Sequence, residues 1–236
     1  PGWLRYLVCV VLLLGYWGLL FSLGGNDPYT LEHNLVRQVD LLLLGADHLW
    51  GGFGVPFDPE GLLSTLPAVV SVVAGFEAAR LIGTTSAQGK AVRKLLLIGA
   101  AAVAGGMVWG QWFPINKALW TSSYVLFTSG IGWITLGLRM LVLDVAGQRR
   151  LGWPLQIYGT NPRCLYILSI VVARTMWVVQ LSDGNGGQVS VYSWLYQQLL
   201  PLASPLNASL IFALLHVVLF WFLSLALYRR NIIIKL

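Results

Sequence analysis

The sequence predicts an all-α membrane protein: a polytopic transmembrane helix bundle with six spans and both termini cytoplasmic. Three observations predict it. The 236 residues are 57% hydrophobic and only 10% charged, with a mean hydropathy of +0.72, whereas a soluble domain is about 45 to 50% apolar and about a quarter charged. Several apolar runs reach the roughly 20 residues that cross about 30 Å of hydrocarbon as a helix. The basic residues, finally, fall almost entirely on one side of those runs.

Long apolar runs bounded by Gly, Pro and charge place the spans at 4–23, 64–82, 90–110, 122–143, 163–181 and 207–228. An even number of crossings puts both termini on one side, and the positive-inside rule names that side. Arg5, Arg80, Lys90, Arg93, Lys94, Arg139, Arg149, Arg150, Arg163, Arg229, Arg230 and Lys235 share one face. Arg37 and Lys117 lie opposite, and Arg174 falls within a span. Seven of the nine acids, Asp27, Glu32, Asp40, Asp47, Asp58, Glu60 and Asp183, also lie opposite. The basic face is therefore expected to be cytoplasmic, and the formal charge of +6 requires no nucleic-acid partner. The first run has spanning length and lacks a small-residue cleavage site, so it reads as an anchor rather than a signal peptide. Cys9 and Cys164 form no CxxC or Cys/His cluster, and neither a disulfide nor a metal is expected.

The chain reads as a single transmembrane domain, 1–236, whose longest loop covers 24–63 on the extracytoplasmic side. That loop exceeds the about 12 to 15 residues of an ordinary connector, and its apolar stretches at 41–44 and 53–57 predict that it folds back onto the bundle mouth. Trp50, Trp112, Trp120, Trp153 and Trp194 sit near span ends, where aromatic side chains anchor the membrane interface. Gly106 and Gly110 have small-xxx-small spacing, for which ordinary helix packing is the expected use. Asn207-Ala208-Ser209 fits a glycosylation sequon but reads as a helix start.

Ionisable groups inside lipid cost at least about 2.5 kcal/mol each and draw attention by default. Glu77 and Arg139 lie near span ends, where side chains snorkel, and Arg80 is one turn from Glu77. Arg174 and His216 lie deeper and are expected to face the bundle interior, Arg174 as a ligand for an anion or polar substrate and His216 as a histidine hydrogen-bonded to a neighbouring helix. In 57–67, Asp58 and Glu60 either cap the second span or bind a hydroxyl-rich ligand and serve as acid and base. In 113–124, Asn116, Lys117, Trp120 and Tyr124 form either a tight turn or a polar-ligand site at the same mouth. On the basic side, Asn161 opens the fifth span near Arg149, Arg150 and Arg163. Those arginines either enforce topology or hold the phosphates of a cytosolic donor.

Five segments occur in a telling order: DLLLLGADHLW at 40–50, DPEGLLST at 58–65, FPINKALWTSSY at 113–124, GTN at 159–161 and LYRRNIIIK at 227–235. In that order they resemble the heparan-alpha-glucosaminide N-acetyltransferase-like family of membrane acyltransferases, bacterial relatives included. The resemblance implies acetyl transfer from cytosolic acetyl-CoA, as co-substrate and without a metal, to the amino group of a glucosamine-type sugar across the membrane. Asp40, His48, Asp58, Glu60, Asn116, Lys117, Trp120 and Tyr124, with Arg174, are then the acceptor-side candidates, and Asn161, Arg163, Arg149 and Arg150 the donor-side ones. The resemblance also implies a longer protein of which this chain is the C-terminal portion, with further spans and a catalytic histidine in a His/Trp/Gly-containing segment. None of His33, His48 and His216 has such a context, so the catalytic residue is expected outside this chain.

The expected partners are the lipid bilayer and an amino-sugar or oligosaccharide acceptor, with a homodimer left open and no nucleic acid. The expected location is the bacterial cytoplasmic membrane. The residues alone leave two other functions open: an amino-sugar permease binding its substrate without chemistry, and a structural subunit packed against a separate chain.

Overall fold

The computed structural model describes residues 2–182 and 187–234. Asp183 and Lys235, counted above in the charge asymmetry, lie outside them. In lipid a backbone N–H or C=O has no water to bond, so an apolar run satisfies itself as a helix. The elements in chain order are α1 (Gly2–Leu23), α2 (Leu35–Leu44), α3 (Thr65–Thr84), α4 (Gln88–Trp109), α5 (Ser122–Met140), α6 (Arg149–Thr160), α7 (Pro162–Val178), β1 (Gln180–Ser182), β2 (Gln188–Ser190), α8 (Val191–Gln197) and α9 (Pro205–Arg229).

The all-α membrane fold stands, and among the described residues five helices are long and apolar enough to cross a bilayer. They are α1, α3, α4, α5 with its π-turn extension to Val145, and α9. The remaining expected span, 163–181, forms the 17-residue α7, about 26 Å at 1.5 Å per residue. It stops at Val178 because the chain turns there into a small antiparallel pair, with Gln180 opposite Ser190 and Ser182 opposite Gln188. The connector before it, read as a loop, is the amphipathic helix α6. The chain divides into two compact units, Pro1–Gly147 and Gln148–Leu236.

In the first unit α4 and α5 lie in the closest contact, and glycine makes it. Gly99 and Gly106 on α4 and Gly130 and Gly137 on α5 each recur after seven residues, two turns along one helix face. A Cβ on Gly130 would stand 2.6 Å from the Gly99 carbonyl oxygen and 2.7 Å from the Val103 nitrogen; one on Gly106 would stand 2.7 Å from the Phe127 nitrogen. Backbones this close gain dispersion contacts that lipid tails cannot match. The seam thus uses the seven-residue spacing, while Gly110 ends α4.

Polar side chains tie the other helices of this unit by reaching backbone carbonyls. Ser122 Oγ donates to the Leu13 carbonyl at 2.8 Å, joining α5 to α1. Trp133 Nε1 donates to the Ala74 carbonyl at 3.1 Å, joining α5 to α3. At the basic end Glu77 is held by Arg5, Arg80 and Tyr6, so its paired state matches the expectation for a carboxylate close to a span end.

In the second unit α6 lies along α9 by the same device. Ser224 Oγ donates to the Ile157 carbonyl at 2.7 Å, Trp221 Nε1 to the Pro154 carbonyl at 3.2 Å, and the Tyr158 hydroxyl to the Val217 carbonyl. Trp153 and Trp221 meet edge to face at 5.7 Å. Asn207 lies within α9, as a helix start requires.

The seam yields a paired prediction. Gly130→Ala is expected to lower stability by about 1 to 3 kcal/mol, the usual cost of overpacking. Gly132→Ala, whose Cβ would meet nothing within 4 Å, should be neutral. Thermal unfolding of the two variants in detergent checks the contrast.

Candidate functional site

The 24–63 loop is folded, and its folding creates the mouth. Asn34 begins α2, its Oδ1 accepting from the Arg37 nitrogen at 2.8 Å while its amide donates to the Thr30 and Leu31 carbonyls, both at 2.8 Å. Arg37 reaches across the loop to the Pro56 carbonyl at 2.9 Å. Val36 and Phe57 then enter one buried cluster with Tyr16, Leu20, Phe113 and Leu119. Through this cluster the loop packs on α1 and on the 113–121 turn, which brings the two polar segments read from the sequence to one end of the first unit.

Asp40, wholly buried on α2, is the unusual group there. Its Oδ1 accepts from the Leu62 nitrogen at 3.0 Å, while Oδ2 is buried without a hydrogen-bond partner. A Cβ on Gly61 would stand 2.1 Å from that Oδ2, so only glycine lets the 58–62 turn close over the carboxylate. Burial lifts the Asp40 carboxyl above its ordinary value of 3.8; the Leu62 N–H works against that rise and the neighbouring Asp58 adds to it.

Asp58 is half-buried and Glu60 exposed. Asp58 Oδ1 accepts from the Glu60 nitrogen at 2.9 Å and so caps its own turn. Since α3 starts only at Thr65, neither acid caps that helix. Glu60 projects from the turn, and His48 is exposed in the single helical turn Ala46–His48.

The 113–124 segment is a knot of hydrogen bonds. Asn116 Oδ1 accepts from the Ala118 nitrogen at 2.8 Å, and Thr121 Oγ1 donates to the Pro114 carbonyl at 2.9 Å. Ser123 Oγ donates to the Phe113 carbonyl at 2.5 Å. Trp120 sits in the left-handed region at φ +50°, a conformation costing a non-glycine residue about 1 to 3 kcal/mol that surrounding contacts must hold. Its indole donates to Ser71 Oγ at 3.3 Å and packs edge-on against Tyr124 at 5.2 Å. This indole is turned inward, in contrast to exposed Trp50, Trp112, Trp153 and Trp194. Lys117 is the exposed charge of the segment.

The donor-side candidates and Arg174 lie in the second unit. Asn161 is buried, and both ends of its amide are engaged: Nδ2 donates to the Ile232 carbonyl at 2.9 Å and Oδ1 accepts from the Ile234 nitrogen at 2.7 Å. It fastens the strand-like tail that follows α9. Arg149 and Arg150 line an open recess of about 520 Å³ with Trp153 and Gln156. Arg163 is exposed in the first turn of α7. Arg174, expected in the bundle interior, is exposed instead, four residues before the end of α7, a depth of about 6 Å that a snorkelling guanidinium spans. His216 is half-buried, its Nδ1 2.9 Å from the Phe212 carbonyl of its own helix rather than a neighbouring one.

No family model matches the chain. Heparan-alpha-glucosaminide N-acetyltransferase of Homo sapiens is 30% identical to it over 199 residues, covering 71% of this chain and 29% of that protein. The Mus musculus protein of the same name is 29% identical over 144 residues, covering 55% of the chain and 22% of that protein. The chain is a distant relative of the heparan-alpha-glucosaminide N-acetyltransferases. It spans less than a third of the length of these two relatives, and with its long apolar helices it is an integral membrane protein.

The mouth also includes two groups that no sequence motif marks. The Tyr16 hydroxyl donates to the Leu119 carbonyl at 2.5 Å, fastening the 113–121 turn to α1, and Gly61 shapes the Asp40 site. A helical stripe of Leu13, Tyr16 and Leu20 is the signal that marks Tyr16 as inward-facing.

Two predictions follow from this geometry. The folded chain keeps the Asp40 proton at pH values where the unfolded chain has released it. Asp40's contribution to stability is therefore fully present at low pH and declines as pH rises from 3.8 through the higher folded value. Asp40→Asn retains an oxygen for the Leu62 N–H without a charge and should flatten that slope, as read by melting temperatures between pH ~4 and ~7. Asn161→Ala should cost about 1 to 3 kcal/mol by leaving Ile232 and Ile234 backbone groups unpaired. Faster hydrogen exchange at the Ile234 amide is the expected readout.

Proposed function

We propose that this chain forms part of a transmembrane N-acetyltransferase, which moves the acetyl group of cytosolic acetyl-CoA to the amino group of a glucosamine-type sugar on the extracytoplasmic side. The observation that carries the reading is the relationship to heparan-alpha-glucosaminide N-acetyltransferase along most of the chain. The folded mouth supports it. Asp58, Glu60 and Lys117 supply acceptors and a donor suited to sugar hydroxyls, while the inward-turned Trp120, packed on Tyr124, holds the turn that presents Lys117. In the second unit Arg149, Arg150 and Arg163 are suited to the donor's phosphates, for which guanidinium forks are the fitting chemistry.

Acetyl transfer to an amine needs a neutral amine nitrogen, which forms a bond to the thioester carbon as the carbon–sulfur bond breaks. The amine proton passes to a base, the coenzyme leaves as its thiol, and hydrogen-bond donors offset the charge on the carbonyl oxygen. The exposed Glu60 carboxylate and the half-buried Asp58 carboxylate serve to bind and orient the protonated sugar amine before it loses that proton. In this reading Asn161 and Asn116 hold the scaffold, since their amides are already bonded to backbone.

The full-length protein in detergent is expected to transfer radiolabelled acetyl from acetyl-CoA to glucosamine. Asp58→Asn with Glu60→Gln should lower kcat/KM about tenfold to a hundredfold, mainly through KM, the loss of one or two charge-assisted hydrogen bonds. Proteoliposomes that accumulate unmodified glucosamine without an acetyl donor would replace this reading with that of a permease.

A further inference from the structure

The basic end of the first unit carries a group of side chains that the acyl-transfer reading leaves unused. Glu77, with its side chain 9% exposed, lies beneath two guanidiniums: Arg5 Nη2 stands 3.0 Å from Oε1 and Arg80 Nη2 2.7 Å from Oε2. Arg80 Nε also donates to Oε2 at 2.8 Å. The Tyr6 hydroxyl donates to Glu77 Oε2 at 3.1 Å and accepts from Arg80 Nη2 at 3.0 Å. Arg5 is further held by stacking 5.0 Å over the Phe76 ring. Two cations on one carboxylate leave a local charge of plus one.

This arrangement exceeds what joining α1 to α3 requires. One arginine would neutralise Glu77, and a buried carboxylate needs no second one for charge. The surplus is immobilised, since both guanidiniums have lost their rotamer freedom to Glu77, Tyr6 and Phe76. Arg5 and Arg80 nonetheless keep side-chain exposures of 40% and 45%, and among the described residues their Nη1 groups have no partner. The result is a pair of preorganised guanidiniums, each left partly exposed, the chemistry that recognises phosphate oxygens best.

What lies next to the forks decides the class of phosphate. Along α3, Val69, Val72 and Phe76 are 44%, 73% and 51% exposed, and with Arg80 they form one stripe at three- and four-residue spacing on a single helix face. An apolar stripe ending at an arginine fork matches an acyl chain ending at a phosphate. Arg5 is in the first turn of α1 and Arg80 is four residues from the end of α3, about 6 Å, so the forks reach the headgroup level while Glu77 stays below it.

We propose that Arg5 and Arg80 form a binding site for the phosphate of an anionic phospholipid, whose acyl chain lies along the Val69–Val72–Phe76 stripe. The site is independent of the acetyltransferase reading. The exposed Lys90, Arg93 and Lys94 at the start of α4 add a diffuse attraction to the same leaflet, without a fork or a stripe.

The test is native mass spectrometry of the full-length protein extracted from vesicles of phosphatidylcholine with a minority of phosphatidylglycerol. Phosphatidylglycerol should be retained above its share of the vesicle lipid by about fivefold for each cation engaged. Arg5→Gln with Arg80→Gln would strand Glu77, so the informative variant adds Glu77→Gln, which can still bond Tyr6. That triple variant and Arg93→Gln each lower the net charge by one. The triple variant is expected to lose the enrichment and Arg93→Gln to keep it. No enrichment in the unaltered protein, equal loss in both variants, or displacement of the lipid by adenosine 3',5'-bisphosphate would each overturn the proposal, the last by making the forks a nucleotide site.

Discussion

Tyr16 donating to the Leu119 carbonyl is one instance of the constraint on which the bundle depends. Inside hydrocarbon a polar side chain has no water to return to, so each must end on a partner within the protein. The chain meets this largely by directing hydroxyls, indoles and amides at backbone carbonyls of other segments: Ser122 to Leu13, Trp133 to Ala74, Ser224 to Ile157 and Asn161 to Ile232. A carbonyl has two lone pairs and its helical hydrogen bond uses one. Each such tie therefore joins two segments without breaking either. Apolar packing alone would not select these pairings, since a leucine gains little by leaving lipid for a neighbouring leucine.

The same constraint separates structural from available polar groups at the mouth. Asn116, Thr121, Ser123 and Trp120 are consumed in holding the 113–124 turn, and Asn161 is consumed in the second unit. Glu60, Lys117, Arg149 and Arg150 keep exposed charge, and Asp58 is half-buried with only Oδ1 engaged. Residue type cannot make this distinction, because an asparagine that caps a turn and one that grips a ligand are spelled alike. Hydrogen-bond accounting does make it, and it moves the candidate chemistry from amides to charges.

Much of this organisation is legible in the sequence, and what is not has identifiable causes. The long apolar helices follow from length and composition, and the Glu77–Arg80 pairing from a three-residue spacing. The span at 163–181 shortens because the polar pairing of 180–182 with 188–190 competes with the last helical turn, a tertiary effect that hydropathy averages away. Helix α6 escapes notice because Gly152 and Pro154 read as breakers, while Ser224 and Trp221 of α9 and the Tyr158 bond to Val217 hold it in place. The acids at 58 and 60 suggest a cap, but the turn closed over Asp40 delays the helix to Thr65. The glycine seam is visible once seven-residue recurrence is sought, whereas the Gly106–Gly110 pair draws attention to the wrong spacing.

Asp40 shows how the mouth is coupled to the bundle. Its carboxylate is closed in on one side by Gly61 and bonded on the other to Leu62, so the turn carrying Asp58 and Glu60 rests directly on it. α2, which supplies Asp40, is held by Val36 against Tyr16 and Leu119 in the same buried cluster. A displacement of α2 would therefore move the charged turn and the 113–121 segment together. A buried oxygen without a partner is costly to ionise, and Asp40 keeps that oxygen beneath the turn that carries the mouth acids. The placement of Asp58 and Glu60 thus depends on Asp40, whose Oδ1 holds the Leu62 N–H of their turn while Gly61 leaves room for its Oδ2.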